Sequence, residues 1–283
     1  MGSFIDLHIH SNFSDGKYSI TELVDVAKSH DVSVMSITDH DDLRSIKEIK
    51  RINSDIKYIK GIELSSTTKI NNSDKWLHIL GYDIDEENDE LNCRLNKQKQ
   101  IRKEVNKQYL IDMIKQFNFI NDGILYEIDC TRFIRFSRLI NKYIENNEFT
   151  LEQIKILKDY LDKVKISYPG YDFSDKEAIR LIHNAGGIPV LAHPYQYRMD
   201  EKDEELLLRK LIEYGLEGVE VYHSGDTVEG FELQNQLASK YNLLTTVGSD
   251  FHTDEDDEIN RVGIGVNNNL CKTECSLLKR INN

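Results

Sequence analysis

Histidines and carboxylates recur at the ends of short apolar runs in this chain, a pairing of residue type and position that suits metal binding. His8 and His10 close DLHIH two residues apart, so an extended backbone points both side chains to the same side. His40 follows a β-branched run in TDHDD, Glu63 closes a run in GIELSS, and His78 lies within WLHILGY. His193 follows a run in VLAHP and His223 does so in EVYHS, while Asp250 and His252, again two apart, follow one in GSDFH. Asp15 sits in the loop NFSDG after the first run. Imidazoles and carboxylates without thiolates suit zinc, manganese or iron, whereas calcium and magnesium favour all-oxygen shells. One histidine after a strand is usually a packed or loop residue. The pattern repeated along seven runs is hard to obtain by chance, and it predicts a cluster of two or three divalent metal ions. Two histidines fall outside the pattern and are read as structural: His30 closes a helix, and His183 lies inside one.

Those residues need a frame that brings strand ends together. Strand-like runs are expected at 4–9, 33–38, 57–64, 76–82, 189–192, 218–221 and 244–248. Helical patterns separate them at 20–29, 43–52, 176–184, 204–214 and 229–241, with Ser19 or Thr21 capping the first and Ser174 capping the third. Strand and helix in alternation imply parallel strands, and about seven such units suggest an α/β barrel rather than an open sheet. In such barrels the chemistry sits at the strand C-termini. The interval 86–172 is too long for one connection. Its polar sequence, with apolar positions at Ile101, Val105, Leu110 and Ile114, reads as a helical insertion capping the mouth. The expected domains are therefore a metal-binding barrel, 1–85 with 173–283, and a helical cap, 86–172.

Composition narrows the function. A net charge of −13 argues against a general nucleic-acid coat and against extended duplex binding, because such binding depends on Lys and Arg neutralising many phosphates. It leaves room for a small phosphorylated substrate, since bound cations dominate the local field. No run approaches the roughly 18–20 apolar residues of a membrane helix, and the start lacks the pattern of a signal peptide. Cys93, Cys130, Cys271 and Cys275 read as reduced thiols, so the expected compartment is the cytoplasm.

Taken together, DLHIHSNFSDG, ITDHDD, GIELSS, HILGY, GGIPVLAHP and GSDFH resemble the PHP family, named for polymerase and histidinol phosphatase, over residues 4–83 and 174–266. The resemblance implies a distorted (β/α)7 barrel with three metals. It assigns His8, His10, Glu63 and Asp250 to the first, Glu63, His78 and His193 to the second, and Asp15, His40 and His252 to the third. DKEAIRLIHNAGGIPVLAHPY, LIEYGLEGVEVYHS and GSDFH look like the branch that includes bacterial 3′,5′-nucleoside bisphosphate phosphatases, which also trim short RNA from the 5′ end. That branch carries an Arg-Pro-His motif in its insert; here CTRFIRFSRLI offers Arg132, or on a shifted alignment Arg135 or Arg138, and Arg102 marks a second basic helix.

The chemistry implied is phosphomonoester hydrolysis by metal-activated hydroxide attacking phosphorus in line. Asp250, holding the first metal, and His223, as proton donor to the leaving oxygen or as a phosphate contact, are the catalytic candidates. Arg102, Arg132, Arg135 and Arg138 are candidates for a further phosphate. Asp6 and Asp39, adjacent to ligands, are expected to orient imidazoles. The alternatives are a histidinol-phosphate-type phosphatase and a non-catalytic module that metal merely stabilises.

Overall fold

Along Phe4–Ile9 (β1), Ile5, Leu7 and Ile9 alternate with Asp6 and His8, and all five are buried, so this strand needs cover on both faces. The computed structural model describes residues 3–127, 129, 130, 136–253 and 260–282. After β1 come α1 (Ile20–Ser29), β2 (Val32–Ile37), α2 (Arg44–Ile49), β3 (Lys57–Tyr58), β4 (Gly61–Ile70) and β5 (Ser73–Tyr82). A helical stretch follows: α3 (Asp89–Gln116), α4 (Ile124–Glu127), α5 (Phe136–Asn146) and α6 (Leu151–Lys163). The chain then returns through β6 (Phe173–Ser174), α7 (Asp175–Asn184), β7 (Ile188–Leu191), α8 (Glu201–Glu213), β8 (Gly218–His223), α9 (Val228–Tyr241), β9 (Leu244–Gly248) and α10 (Ser276–Ile281). Side-chain caps start α1, α7, α8 and α9 at Ser19, Ser174, Asp200 and Thr227, each worth about 1 kcal/mol. Ser19, not Thr21, caps α1, in a reciprocal box with Glu22.

The strands form two sheets, ordered β1-β2-β3 and β6-β4-β5-β7-β8-β9. Isolated parallel bridges link Ile9 to Phe251 and His40 to Glu63, just beyond the ends of β9 and β2. The expectation of parallel strands throughout is corrected at β5, which runs antiparallel to both β4 and β7. The cause is local. Asn71 and Asn72 both adopt positive φ (49° and 63°), the requirement of a tight two-residue hairpin turn, so β4 folds straight back into β5 without a crossover helix. Glu63 is therefore the third residue of a ten-residue strand rather than its end, and His78 lies inside β5.

Two units divide the chain: Met1–Asn92 with Phe173–Asn283, and Cys93–Asp172. Within the first, Ile9, Ile20, Leu23, Val24, Ala27, Met35 and Ile37 pack α1 against β1 and β2. Ile5, Leu7, Leu80, Val190, Val247 and Leu277 form a second apolar layer across the sheets. Each Ile, Leu, Val or Met among them stabilises the fold by about 1.5–3 kcal/mol when fully buried. The second unit has its own core of Leu110, Met113, Ile124, Phe136, Leu139, Ile140 and Leu157. Among the described residues no helix is long and apolar enough to cross a membrane.

Glu86 anchors the chain after β5. Its carboxylate is 4% exposed and pairs with Lys50, beyond α2, and at 2.7 Å with Lys60, ahead of β4. Burial raises its pKa, but the two lysines outweigh that and hold the group down to about 2. A depressed carboxylate stabilises above its ordinary value of 4.5 and loses that contribution as pH falls toward 2. Glu86→Ala should cost about 1–3 kcal/mol at neutral pH, and the difference from wild type should shrink as pH falls from 4.5 toward 2 in urea titrations.

Candidate metal centre

Glu63 is the hub. Its side chain is fully buried, and five imidazoles converge on its two oxygens. Oε2 lies 3.3 Å from His8 Nε2, 3.1 Å from His10 Nε2 and 3.0 Å from His40 Nδ1. Oε1 lies 2.9 Å from His78 Nδ1 and 3.2 Å from His193 Nε2. Asp250 Oδ1 completes one side, 2.9 Å from His10 Nε2 and 3.3 Å from His8 Nε2. On the other side Asp15 faces His252 Nε2 at 3.1 Å, and His10 Nδ1 and His40 Nε2 at 3.7 Å each.

Three cups of ligand atoms result. The first is His8, His10, Glu63 and Asp250; another is His10, Asp15, His40 and His252. In the remaining one, Glu63 and His78 are joined by His193, whose Nε2 is 3.2 Å from His78 Nδ1, and by His40 from the opposite side. All nine residues expected to hold metal are thus gathered around one point. His10 and His40 each face two cups, a sharing that sequence spacing does not reveal.

Local backbone aims these side chains. His193 and Asp250 both adopt left-handed conformations (φ 30° and 53°), which turn them off the ends of β7 and β9. For non-glycine residues such strain costs about 1–3 kcal/mol and gathers at functional sites. The Tyr197 hydroxyl donates to the Ala192 carbonyl at 3.0 Å and accepts from the His78 N–H at 2.9 Å, fixing the two strands where their ladder opens. Asp39 accepts from the Ser11 N–H and from the hydroxyls of Ser11 and Ser14, holding the loop that carries Asp15. Asp6 accepts from the N–H groups of His8, Ser249 and Gly263. Burial raises the Asp6 carboxyl to about 6 against the pull of those bonds. Neither carboxylate orients an imidazole, which corrects that expectation: Asp6, inside β1, accepts from backbone amides, and Asp39, just beyond β2, accepts from an amide and two serine hydroxyls instead. The imidazole partner is Glu220, which sequence reasoning missed; it lies against His8 Nδ1 at 3.1 Å. A glutamate inside the apolar run of GVEVY was the available signal, because a buried carboxylate needs a partner.

Charges in the centre are strongly coupled. Burial raises Glu63 and Asp250, but the surrounding imidazoles overcome it and hold both well below the ordinary carboxylate range. Burial disfavours charge on His8 and His10, yet the facing carboxylates win, lifting His8 well up and His10 to about 9. Burial prevails at His40, which is pushed well down, and at His193.

These atoms fit metal ions better than one another. His8 Nε2 faces His10 Nε2 at 3.1 Å, a contact of like atoms. Despite three nearby nitrogens, Glu63 Oε2 has no hydrogen-bond partner of acceptable geometry, and the same holds for His40 Nδ1. Divalent cations in the cups would satisfy all of these atoms. His78, Asp250 and His252 keep 28, 26 and 24% side-chain exposure, leaving the cluster open on that side.

His223 borders the first cup, its Nε2 3.5 Å from Asp250 Oδ2 and its Nδ1 3.5 Å from Asp226. The Gly225 N–H also lies against Nδ1, at 3.1 Å, while Nε2 faces the cluster. Despite burial, Asp226 and Asp250 lift this imidazole to about 10. His30 caps α1 and bonds the Val262 carbonyl, and His183 bonds the Gly215 carbonyl, so both serve the fold as expected. Among the insert arginines, Arg102 is 3% exposed with its guanidinium on the Tyr171 hydroxyl, which a substrate phosphate would have to replace. Arg138 is exposed on α5, and Arg132 and Arg135 lie outside the described residues.

Comparison with known proteins agrees with this geometry. The profile of the PHP domain matches residues 6–213. A 5′-3′ exoribonuclease of Haemophilus influenzae is 31% identical, covering 87% of this chain and 89% of its own. A 3′,5′-nucleoside bisphosphate phosphatase of Chromobacterium violaceum is 28% identical over 88% of this chain and 87% of its own. Among solved structures, an amidohydrolase from Chromobacterium violaceum with bound sulfate superposes with a TM-score of 0.69 at 26% identity, covering 92% of this chain and 89% of that one.

Proposed function

The chain belongs to the PHP domain family, and from that premise we propose that it hydrolyses phosphomonoesters of nucleotides, using divalent metal ions held around Glu63. The observation that carries this reading is the convergence of five imidazoles on one fully buried carboxylate, whose Oε2 has no hydrogen-bond partner of acceptable geometry. Closure of the strands into a distorted (β/α)7 barrel is supported by the Ile9–Phe251 and His40–Glu63 bridges, one at each seam between the two sheets. Residues 86–172 are read as its helical insertion.

Manganese, zinc or iron suits the ligand set, and two or three such ions, when bound, supply Lewis acidity that makes hydroxide available at neutral pH and neutralises phosphoryl charge. Glu63, which faces two of the cups, would help to hold the ions in both. Asp250 keeps His8 and His10 turned toward the cluster. His223 presents the Nε2 proton to the leaving oxygen, and Asp226 and Gly225 fix its ring. The relatives' names, an exoribonuclease and a nucleoside bisphosphate phosphatase, favour nucleotide substrates over other monoesters. A further phosphate falls to the insert's basic residues, Arg102, Arg132, Arg135 and Arg138.

The test compares a 3′,5′-nucleoside bisphosphate, histidinol phosphate and p-nitrophenyl phosphate. The bisphosphate should be preferred. Replacing the contacting arginine by Ala should lower kcat/KM on the bisphosphate by roughly ten- to a hundredfold, a charge-assisted contact of about 1.5–3 kcal/mol. Hydrolysis of p-nitrophenyl phosphate should barely change. If none of the four variants loses activity on the bisphosphate, or all lose it equally on both substrates, the insert does not read a second phosphate.

A further inference from the structure

We propose that Glu220 is a positioning residue that ties two of the cups together, orienting His8 in one and His193 in the other. This inference rests on the metal reading above. Glu220 lies in β8, with no solvent exposure. Its Oε1 and Oε2 stand 3.1 and 3.2 Å from His8 Nδ1, and Oε2 also accepts the His193 N–H at 2.8 Å. One carboxylate therefore holds ligands from β1 and from the end of β7.

The contact acts on the ligand atoms. A carboxylate against Nδ1 keeps the His8 proton there and leaves Nε2 to present its lone pair. Nε2 is the nitrogen that faces Glu63 and Asp250 at 3.3 Å each. At His193, where the backbone has left the β7 ladder with φ at 30°, the bond to Glu220 fixes the turn that sends Nε2 toward Glu63. The fold makes room for this arrangement. A Cβ on Gly248 would fall 2.2 Å from His8 Cβ and 2.6 Å from Glu220 Oε1, so only glycine lets the two side chains meet. The β8–β9 pairing also shifts register between Glu220 and Tyr222.

Glu220→Gln keeps the shape but offers one acceptor where two donors need one. The His193 N–H is fixed backbone and retains the amide oxygen. His8 then faces an NH2 group, which moves its proton to Nε2 and blocks the metal-facing nitrogen. Glu220→Asp keeps the charge but withdraws the carboxylate by about one bond length, ~1.5 Å, so it cannot reach both partners.

The experiment titrates metal-stripped wild type and both variants with manganese, reading ions bound per chain, affinity and metal-free melting temperature. In Glu220→Gln one ion should bind about 10- to 100-fold more weakly, with the metal-free melting temperature near wild type. Glu220→Asp should also bind more weakly, and this arm decides if the Gln protein does not fold. Wild-type affinity in Glu220→Gln overturns the inference while leaving the metal reading standing. Wild-type affinity in Glu220→Asp overturns it too, since charge alone would then suffice. A wild-type protein that takes up no manganese overturns both readings.

Discussion

Glu63→Gln should yield a folded protein that hydrolyses phosphomonoesters at least about a thousandfold more slowly than wild type, ~4 kcal/mol in the barrier. The size follows from the position. Every other ligand touches one or two cups from their rim, whereas Glu63 lies between His8, His10 and His40 on one oxygen and His78 and His193 on the other. A neutral amide at that point removes the charge that would hold two cations close together. It also turns one oxygen into an NH2 group aimed at imidazole nitrogens. Metal uptake and turnover should therefore fall together, while the circular dichroism spectrum stays that of wild type, since the surrounding strands keep their apolar packing. Wild-type turnover with unchanged metal content would remove Glu63 from the centre of the mechanism.

Asp250→Asn comes second, with an expected loss of about a hundredfold or more in kcat/KM, ~2.7 kcal/mol or above. Asp250 has φ at 53°, a conformation that asparagine tolerates and most residues do not, so the substitution isolates charge from backbone strain. Its Oδ1 serves His8 and His10, and its Oδ2 lies 3.5 Å from His223. The variant should lose affinity at the first cup and keep it at the cup of Asp15, His40 and His252. Asp250→Ala should lose the same activity and, in addition, about 1–2 kcal/mol of stability from the left-handed backbone. Equal melting of the two metal-free variants would show that the backbone there is unstrained.

Much of the site could be read from spacing because its ligands sit where local rules are strongest. His8 and His10 share a face by the two-residue period of a strand. His193, Asp250 and His252 follow short buried strands, where side chains from different segments meet. Less of the frame was legible. The hairpin between β4 and β5 hid behind its strand-helix surroundings, although Asn71 and Asn72 between two β-rich runs carry the turn chemistry that forms it. That hairpin sets Glu63 opposite Leu80 and His78 opposite Ser65, two register positions apart on adjoining strands, so their placement depends on sheet register rather than on strand ends. Glu220 escaped for another reason. Its partners are 212 and 27 residues away, and contact at that range comes from packing, which spacing along the chain does not encode. The same limit explains Asp6 and Asp39, whose proximity to ligands in sequence suggested imidazole partners while their side chains hold backbone amides and serine hydroxyls.

If the cluster around Glu63 is the catalytic centre, metal occupancy and catalysis are one property of it. Protein stripped of metal would be reconstituted with increasing manganese, and ions bound per chain and phosphate released from a nucleotide monoester would be measured on the same samples. Activity should be absent from the stripped protein and should rise only as the cups fill, reaching its plateau with two or three ions per chain. Full activity in the stripped protein, or filled cups that release no phosphate from any phosphoester offered, would contradict that role.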